Sequence, residues 1–185
     1  MKSIFPVFFL HLTLSTYGQD KHNYNSFNRL KAIEGTPYVL TSIDNMGKMG
    51  TVHREYLVFI NTKTGKANEA EFGKDASLHN WEQVKNDSLG INTIVLTART
   101  VTIDKNRRID YNDPIQVIVL SPDGLQKKQL TDDKFFTVHH TIHPETGVIV
   151  INGYYDSNNN GKHDKTDKDE IVLFDLKTWQ LIAKL

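Results

Sequence analysis

Val117 to Thr131 reads VIVLSPDGLQKKQLT. An unbroken run of β-branched and aliphatic residues, Val117-Ile118-Val119-Leu120, stops at Ser121-Pro122-Asp123-Gly124, a stretch with turn chemistry, and a shorter polar run follows. The same succession occurs twice more. Tyr56-Leu57-Val58-Phe59-Ile60 precedes Asn61-Thr62-Lys63-Thr64-Gly65, and Ile171-Val172-Leu173-Phe174 precedes Asp175-Leu176-Lys177-Thr178. Ile60, Leu120 and Phe174 are thus equivalent positions, one at the end of each run. Each run has an apolar partner upstream: Tyr38-Val39-Leu40, Ile94-Val95-Leu96 and Val148-Ile149-Val150-Ile151. A shorter strand is expected after each, at 66–72, 125–130 and 181–185. A further strand precedes the second and third units, at 80–85 and 136–142, the latter joined to its neighbour by the hairpin turn Pro144-Glu145-Thr146-Gly147. No segment sustains the apolar period of a helix. The expected fold is therefore all-β, with about three four-stranded antiparallel meander units stacked in a β-propeller-like way and a β-sandwich as the alternative.

The segment VIVLSPDGLQKKQLT resembles the blades of TolB-type propellers, in which such a strand runs through an Asp-Gly turn into a strand ending in Gln-Leu-Thr. The resemblance extends from Pro37 onward and implies a fold and an envelope location rather than an activity. Three blades are fewer than the four that a closed ring needs. The chain then pairs with another copy, stacks its blades as an open array or is a divergent fragment, and the expectation is a homodimer or a polar cap formed by the arm from Asp20 to Leu30.

Composition narrows the function. Lys plus Arg and Asp plus Glu are both 22, so no basic surface argues for nucleic acid. There is no Cys, which excludes a disulfide framework, a thiolate nucleophile and a lipid-anchored cysteine. The segment 1–19 reads as a signal peptide. Lys2 is a short positive region, Ile4 to Leu14 is mostly apolar, and Thr16 and Gly18 are small residues spaced for cleavage. The apolar run is about half of the roughly 20 residues that a membrane helix needs, and no later stretch is apolar enough to span a membrane. The expected product is secreted or periplasmic, with one β-repeat domain over 20–185 whose units run 20–73, 74–131 and 132–185.

The strongest chemical signal is the run from Asp156 to Asp167, DSNNNGKHDKTD. As a twelve-residue loop it puts oxygen side chains at positions 1, 3, 5, 9 and 12, namely Asp156, Asn158, Asn160, Asp164 and Asp167, with Gly161 at the sixth. That is the spacing of EF-hand and dockerin calcium loops. A hard cation takes six or more oxygens, alternate side chains of a tight loop converge, and the Lys162 carbonyl supplies the seventh-position oxygen. The flanks read as strand, so the loop resembles a calcium loop set into a β-hairpin. The second unit carries a counterpart, Asp104, Asn106, Asp110 and Asp113. Within it, Asp110 and Asp113 match Asp164 and Asp167 at one constant offset along the chain. It lacks the glycine, and Arg108 stands where an oxygen is wanted, so this second metal site reads as degenerate. The alternative for both loops is a solvated turn.

No catalytic residue is assigned. His139, His140 and His143 lie in an expected strand, where residues four apart stand roughly 13 Å from each other, too far to share one ion. Neither a GxSxG nor an HExxH motif is present. Trp81, Trp179, Tyr154 and Tyr155 read as packing residues first and sugar platforms second. The sequence thus favours a calcium-binding β-repeat module that binds a protein or glycan partner or serves as a scaffold, with an exported glycan or peptide hydrolase as the alternative.

Overall fold

A computed structural model describes residues 25–46, 52–53, 56–73, 75–103, 108–158, 160 and 163–185. The segment 1–19, expected to be a signal peptide, lies outside them together with Asp104, Asn106 and Lys162. No helix occurs among the described residues, and none is therefore long and apolar enough to cross a membrane.

Among the described residues the strands form three antiparallel meanders. The first contains β1 (Asn25–Ala32), β2 (Tyr38–Met46), β4 (Tyr56–Asn61) and β5 (Ala67–Glu71) in that order, with the short β3 (Val52–His53) pairing with β2. The second runs β6 (Ser77–Asn86), β7 (Ile91–Arg99), β8 (Gln116–Leu120) and β9 (Lys127–Gln129). The third runs β10 (Phe135–His143), β11 (Val148–Tyr155), β12 (Lys168–Asp175) and β13 (Gln180–Lys184). The runs identified in the sequence are the two inner strands of each meander. In the second meander these strands are covered on both faces, which is why they read as continuous apolar stretches rather than as alternation, whereas in the third only one face is covered within the chain.

β1 was not expected. Its sequence, NSFNRLKA, is polar and has no β-branched residue, yet it pairs with β2 from Asn25↔Asn45 to Ala32↔Val39. The arm read as a terminal cap is in part an edge strand. Polar residues are common at such edges, because an exposed edge is protected by charge. A bulge interrupts this strand between Asn28 and Lys31, where Arg29 adopts φ 57°. Bulges recur in the first strand of the other meanders, between Leu78 and Asn80 and between Thr137 and His139.

The middle sheet is the centre of the packing. Ile94, Leu96, Ile118 and Leu120 share one core with Leu40, Leu57 and Phe59 of the first sheet. Val95, Val117, Val119 and Leu130 share another with Ile149, Ile151, Val172 and Phe174 of the third. Alternate residues of one strand thus serve two cores, as the period of two requires. Turns lock the neighbours together. Gly124, at φ 74°, lets the β8–β9 turn lie against the Phe59 ring of the first sheet, where a Cβ would overlap the ring. Gly147, at φ 68°, does the same for the β10–β11 turn against Ile91. His140 reaches across to Glu82 of β6 at 3.6 Å, while its neighbours on β10 stand on the opposite face.

Candidate metal centre

The acidic loops occupy the same place in their sheets, each joining the two inner strands. The Asp156 loop closes the β11–β12 hairpin just beyond the Tyr155↔Lys168 pair. The second spans the interval from β7 to β8. Asp167 holds the two ends of its loop together: one oxygen accepts the Ser157 N–H at 3.0 Å and the other the Asp164 N–H at 2.8 Å. Asp113 does the same, accepting the Ile103 N–H at 3.0 Å and the Asp110 N–H at 2.9 Å. Asp164 caps the following turn by accepting the Thr166 N–H at 2.8 Å, as Asp110 accepts that of Asn112 at 2.8 Å. Ile103 and Ser157, Asp110 and Asp164, and Asp113 and Asp167 are all related by the single offset read from the sequence. Asx-type hydrogen bonding of side chain to nearby backbone explains why Asp is required at both places.

Five of the six residues of the first candidate set are described, and one network joins them. The Oδ1 atoms of Asp156 and Asn158 both accept the Asn160 N–H, at 3.1 and 3.0 Å. The amide groups of Asn158 and Asn160 both donate to Asp164 Oδ2, at 3.0 and 2.7 Å. Bonds from Thr166, backbone first and then hydroxyl, with those from the two asparagines, hold the Asp164 carboxyl well below the usual carboxylate range. The donor set is entirely oxygen: three carboxylates, two amide carbonyls and the Thr166 hydroxyl. This suits a hard cation. Among the described residues no three His, Asp or Glu side chains already converge as a ligand group. Binding would require Asn158 and Asn160 to turn their carbonyl oxygens, instead of their amide N–H groups, toward Asp164.

Neighbouring residues fix the loop on its far side. His163 stacks on Tyr154 with centroids 4.1 Å apart, and Tyr154 stacks on Phe136 at 5.0 Å. The His163 Nε2 also lies 2.9 Å from Asp169 Oδ1. Burial, then the charges of Asp167 and Asp156, push the Tyr154 phenol up. The two acidic residues that follow the loop are thus engaged elsewhere: Asp169 with His163, and buried Glu170 with Lys168 at 2.9 Å and Lys184 at 3.3 Å. A cleft of about 290 Å³ opens beside the loop, lined by Ile103, Lys134, Phe136, Tyr155, Asp156 and Ser157.

The second loop differs in its charge. Arg99 Nε donates to the Asp113 carbonyl at 2.9 Å, and its Nη1 lies 2.8 Å from His79 Nε2. Burial pushes the Arg99 guanidinium down, while the charges of Asp113 and Asp110 oppose that shift. The equivalent position in the third unit is Gly153, so the third sheet has no counterpart cation there. Asp113 is buried, whereas Asp167 is partly open. The sequence points to Arg108 as the internal charge of this loop. Arg99, at the end of β7, was missed because only the fold brings it beneath the Asp110–Asp113 turn.

No protein-family model matches the chain, and no curated protein matches it. Seven solved chains match in structure. One is the Pyrococcus horikoshii acylaminoacyl peptidase, at 11% identity and a TM-score of 0.45. That match covers 88% of this chain, which spans only 25% of the peptidase's length.

Proposed function

We propose that this protein is an exported, calcium-stabilised β-repeat module that serves as a binding or scaffold element of the TolB-like kind. The observation that supports it is the Asp156–Asp167 loop. Three carboxylates and two asparagines at calcium-loop spacing share one network, without a counterpart of Arg99, which sits beneath the equivalent loop. Asp156, Asn158, Asn160, Asp164, Asp167 and the Lys162 carbonyl would hold the ion. A bound cation replaces carboxylate repulsion with coordination and pins β11 against β12. The Asp110–Asp113 loop, already served by Arg99, binds more weakly or not at all.

The test is thermal unfolding in calcium, magnesium or chelator. Extracellular-type loops bind with dissociation constants on the order of 10⁻⁴ to 10⁻³ M. At 100 times that constant, linkage adds about 2.7 kcal/mol. At about 2–4 °C per kcal/mol this is a rise of roughly 5–10 °C. Asp156→Ala should abolish most of the rise. An unchanged melting temperature on chelation, or equal stabilisation by magnesium, would refute the reading. Protein recovered from the envelope or medium should also have an intact mass that places its N-terminus at Gln19 or Asp20, as signal cleavage requires. An intact Met1 in a cytosolic fraction would refute export.

A further inference from the structure

Each sheet of this chain offers one face to the sheet that follows it, and the positions that form this face correspond. On the first sheet they are Leu40, Leu57, Phe59 and Ala70, all buried in the core shared with the second sheet. On the second they are Val95, Val117, Val119 and Leu130, buried against the third. Register relates the two sets: Leu40 pairs with Phe59 as Val95 pairs with Val119, and Leu57 pairs with Ala70 where Leu130 donates its N–H to the Val117 carbonyl. On the third sheet the same register gives Val150 opposite Leu173, and Ile171 exchanging backbone hydrogen bonds with Leu185.

Those four are the third sheet's stacking face, and it is open. Ile171 is 40% and Leu185 75% exposed, and Val150 and Leu173 are only partly buried. The opposite end of the stack is not available in this way. There Thr41, Ile43 and Val58, which correspond to the face that receives a preceding sheet, are already buried within the single chain. Around the open apolar centre stand His139, Thr141, His143 and Asn152, all exposed. An apolar centre with a polar rim is the anatomy of an interface, and apolar patches of this kind mark association sites.

We infer that this face binds a second copy of the same chain, third sheet against third sheet, about a two-fold axis running along the strands. That axis places β11 of one copy over β12 of the other, so the apolar rows meet and the rims lie at the edges. A closed two-fold pair is the commonest form of homo-oligomer, and the buried state of the other end argues against head-to-tail growth. The size is sufficient. Four strands about 4.8 Å apart and about eight residues long at about 3.3 Å each give a footprint of roughly 500 Å² per copy. The two faces together reach about 1,000 Å², the lower bound for a specific interface. This inference does not depend on calcium.

The test is light scattering and sedimentation equilibrium of the whole chain across the micromolar range, in chelator. The wild type should show twice the monomer mass. The double variant Ile171→Lys, Leu185→Lys should be a monomer with an unchanged far-UV spectrum, because both side chains are exposed in the single chain. Tyr111→Lys, which changes an 82% exposed residue outside the face, should remain a dimer. Should the double variant lose its spectrum, Leu185→Lys alone decides: it should weaken association about tenfold or more, since an unpaired ammonium is then buried. A monomeric wild type, a dimer that survives these changes, or a series of higher multiples of the monomer mass would each overturn the inference.

Discussion

Replacing Asp113 with alanine tests whether the two acidic loops share one frame whose strength is decided by burial. The Asp113 carboxylate is 2% exposed, and its two oxygens accept the N–H groups of Ile103 and Asp110 at 3.0 and 2.9 Å. Hydrogen bonds to a charged acceptor contribute about 1.5–3 kcal/mol each, and buried donors left without a partner carry their full desolvation cost. Losing both should cost about 3–5 kcal/mol, or roughly 6–20 °C in melting temperature. The partly exposed Asp167 makes the same two bonds at 3.0 and 2.8 Å, but the donors it releases can turn to water. Asp167→Ala should therefore cost about 1 kcal/mol in chelator. Asp113→Asn keeps one acceptor and should fall between the wild type and Asp113→Ala. The assay is urea unfolding in chelator, where calcium cannot add to either loop. Equal losses for the two alanine variants, or a larger loss for Asp167→Ala, would refute the reasoning that burial decides the strength of a shared frame.

Two further outcomes follow from the packing and the charges. Gly124→Ala combines a positive φ with overlap on the Phe59 ring and should cost about 2–4 kcal/mol, whereas Gly65→Ala, at φ 69° with nothing within 4 Å, should cost about 1 kcal/mol; similar losses in urea unfolding would mean that the turn does not bear on the first sheet. The hydrogen bond from Lys168 holds the Glu170 carboxyl below its ordinary value, so its contribution is full at neutral pH and disappears as pH falls from about 4.3 toward the lower folded-state value. Glu170→Gln should be less stable than the wild type at pH 7 and should lose less stability on acidification; parallel stability–pH curves would exclude a role for this carboxylate.

The inner strands were legible because their apolar runs are unbroken: burial on both faces accounts for this in Val117–Leu120, whereas Ile171–Phe174 is apolar also on a face that the single chain leaves partly open. β1 was not, because Asn25–Ala32 is an edge strand held by backbone pairing with β2, and such pairing leaves no apolar pattern. The constant offset between the acidic loops was also legible, and the structure gives it a meaning at the level of individual hydrogen bonds. Asp167 shows where sequence reasoning stops. An aspartate at position 12 satisfies the spacing of a calcium ligand, and the same oxygens satisfy two backbone donors; composition does not distinguish these uses. Arg99, Phe136 and His163 carried no signal. Their contacts with the loops depend on the stacking of Phe136 with Tyr154, of Tyr154 with His163, and on the proximity of β7 to the Asp110–Asp113 turn.

Among the described residues, the closing carboxylate of each loop takes its two hydrogen bonds from main-chain N–H groups. It therefore makes no demand on the side chains between its two attachment points. The residues between, 158–163 in the third unit and 104–109 in the second, can therefore differ in chemistry while the frame that presents them stays fixed. The third repeat fills this interval with asparagines, and the second fills an interval of the same length with Lys105, Arg107 and Arg108. The repeat is thus a socket with an interchangeable insert, and grafting the Asp156–Lys165 segment into the second sheet would transplant its chemistry without redesigning the strands.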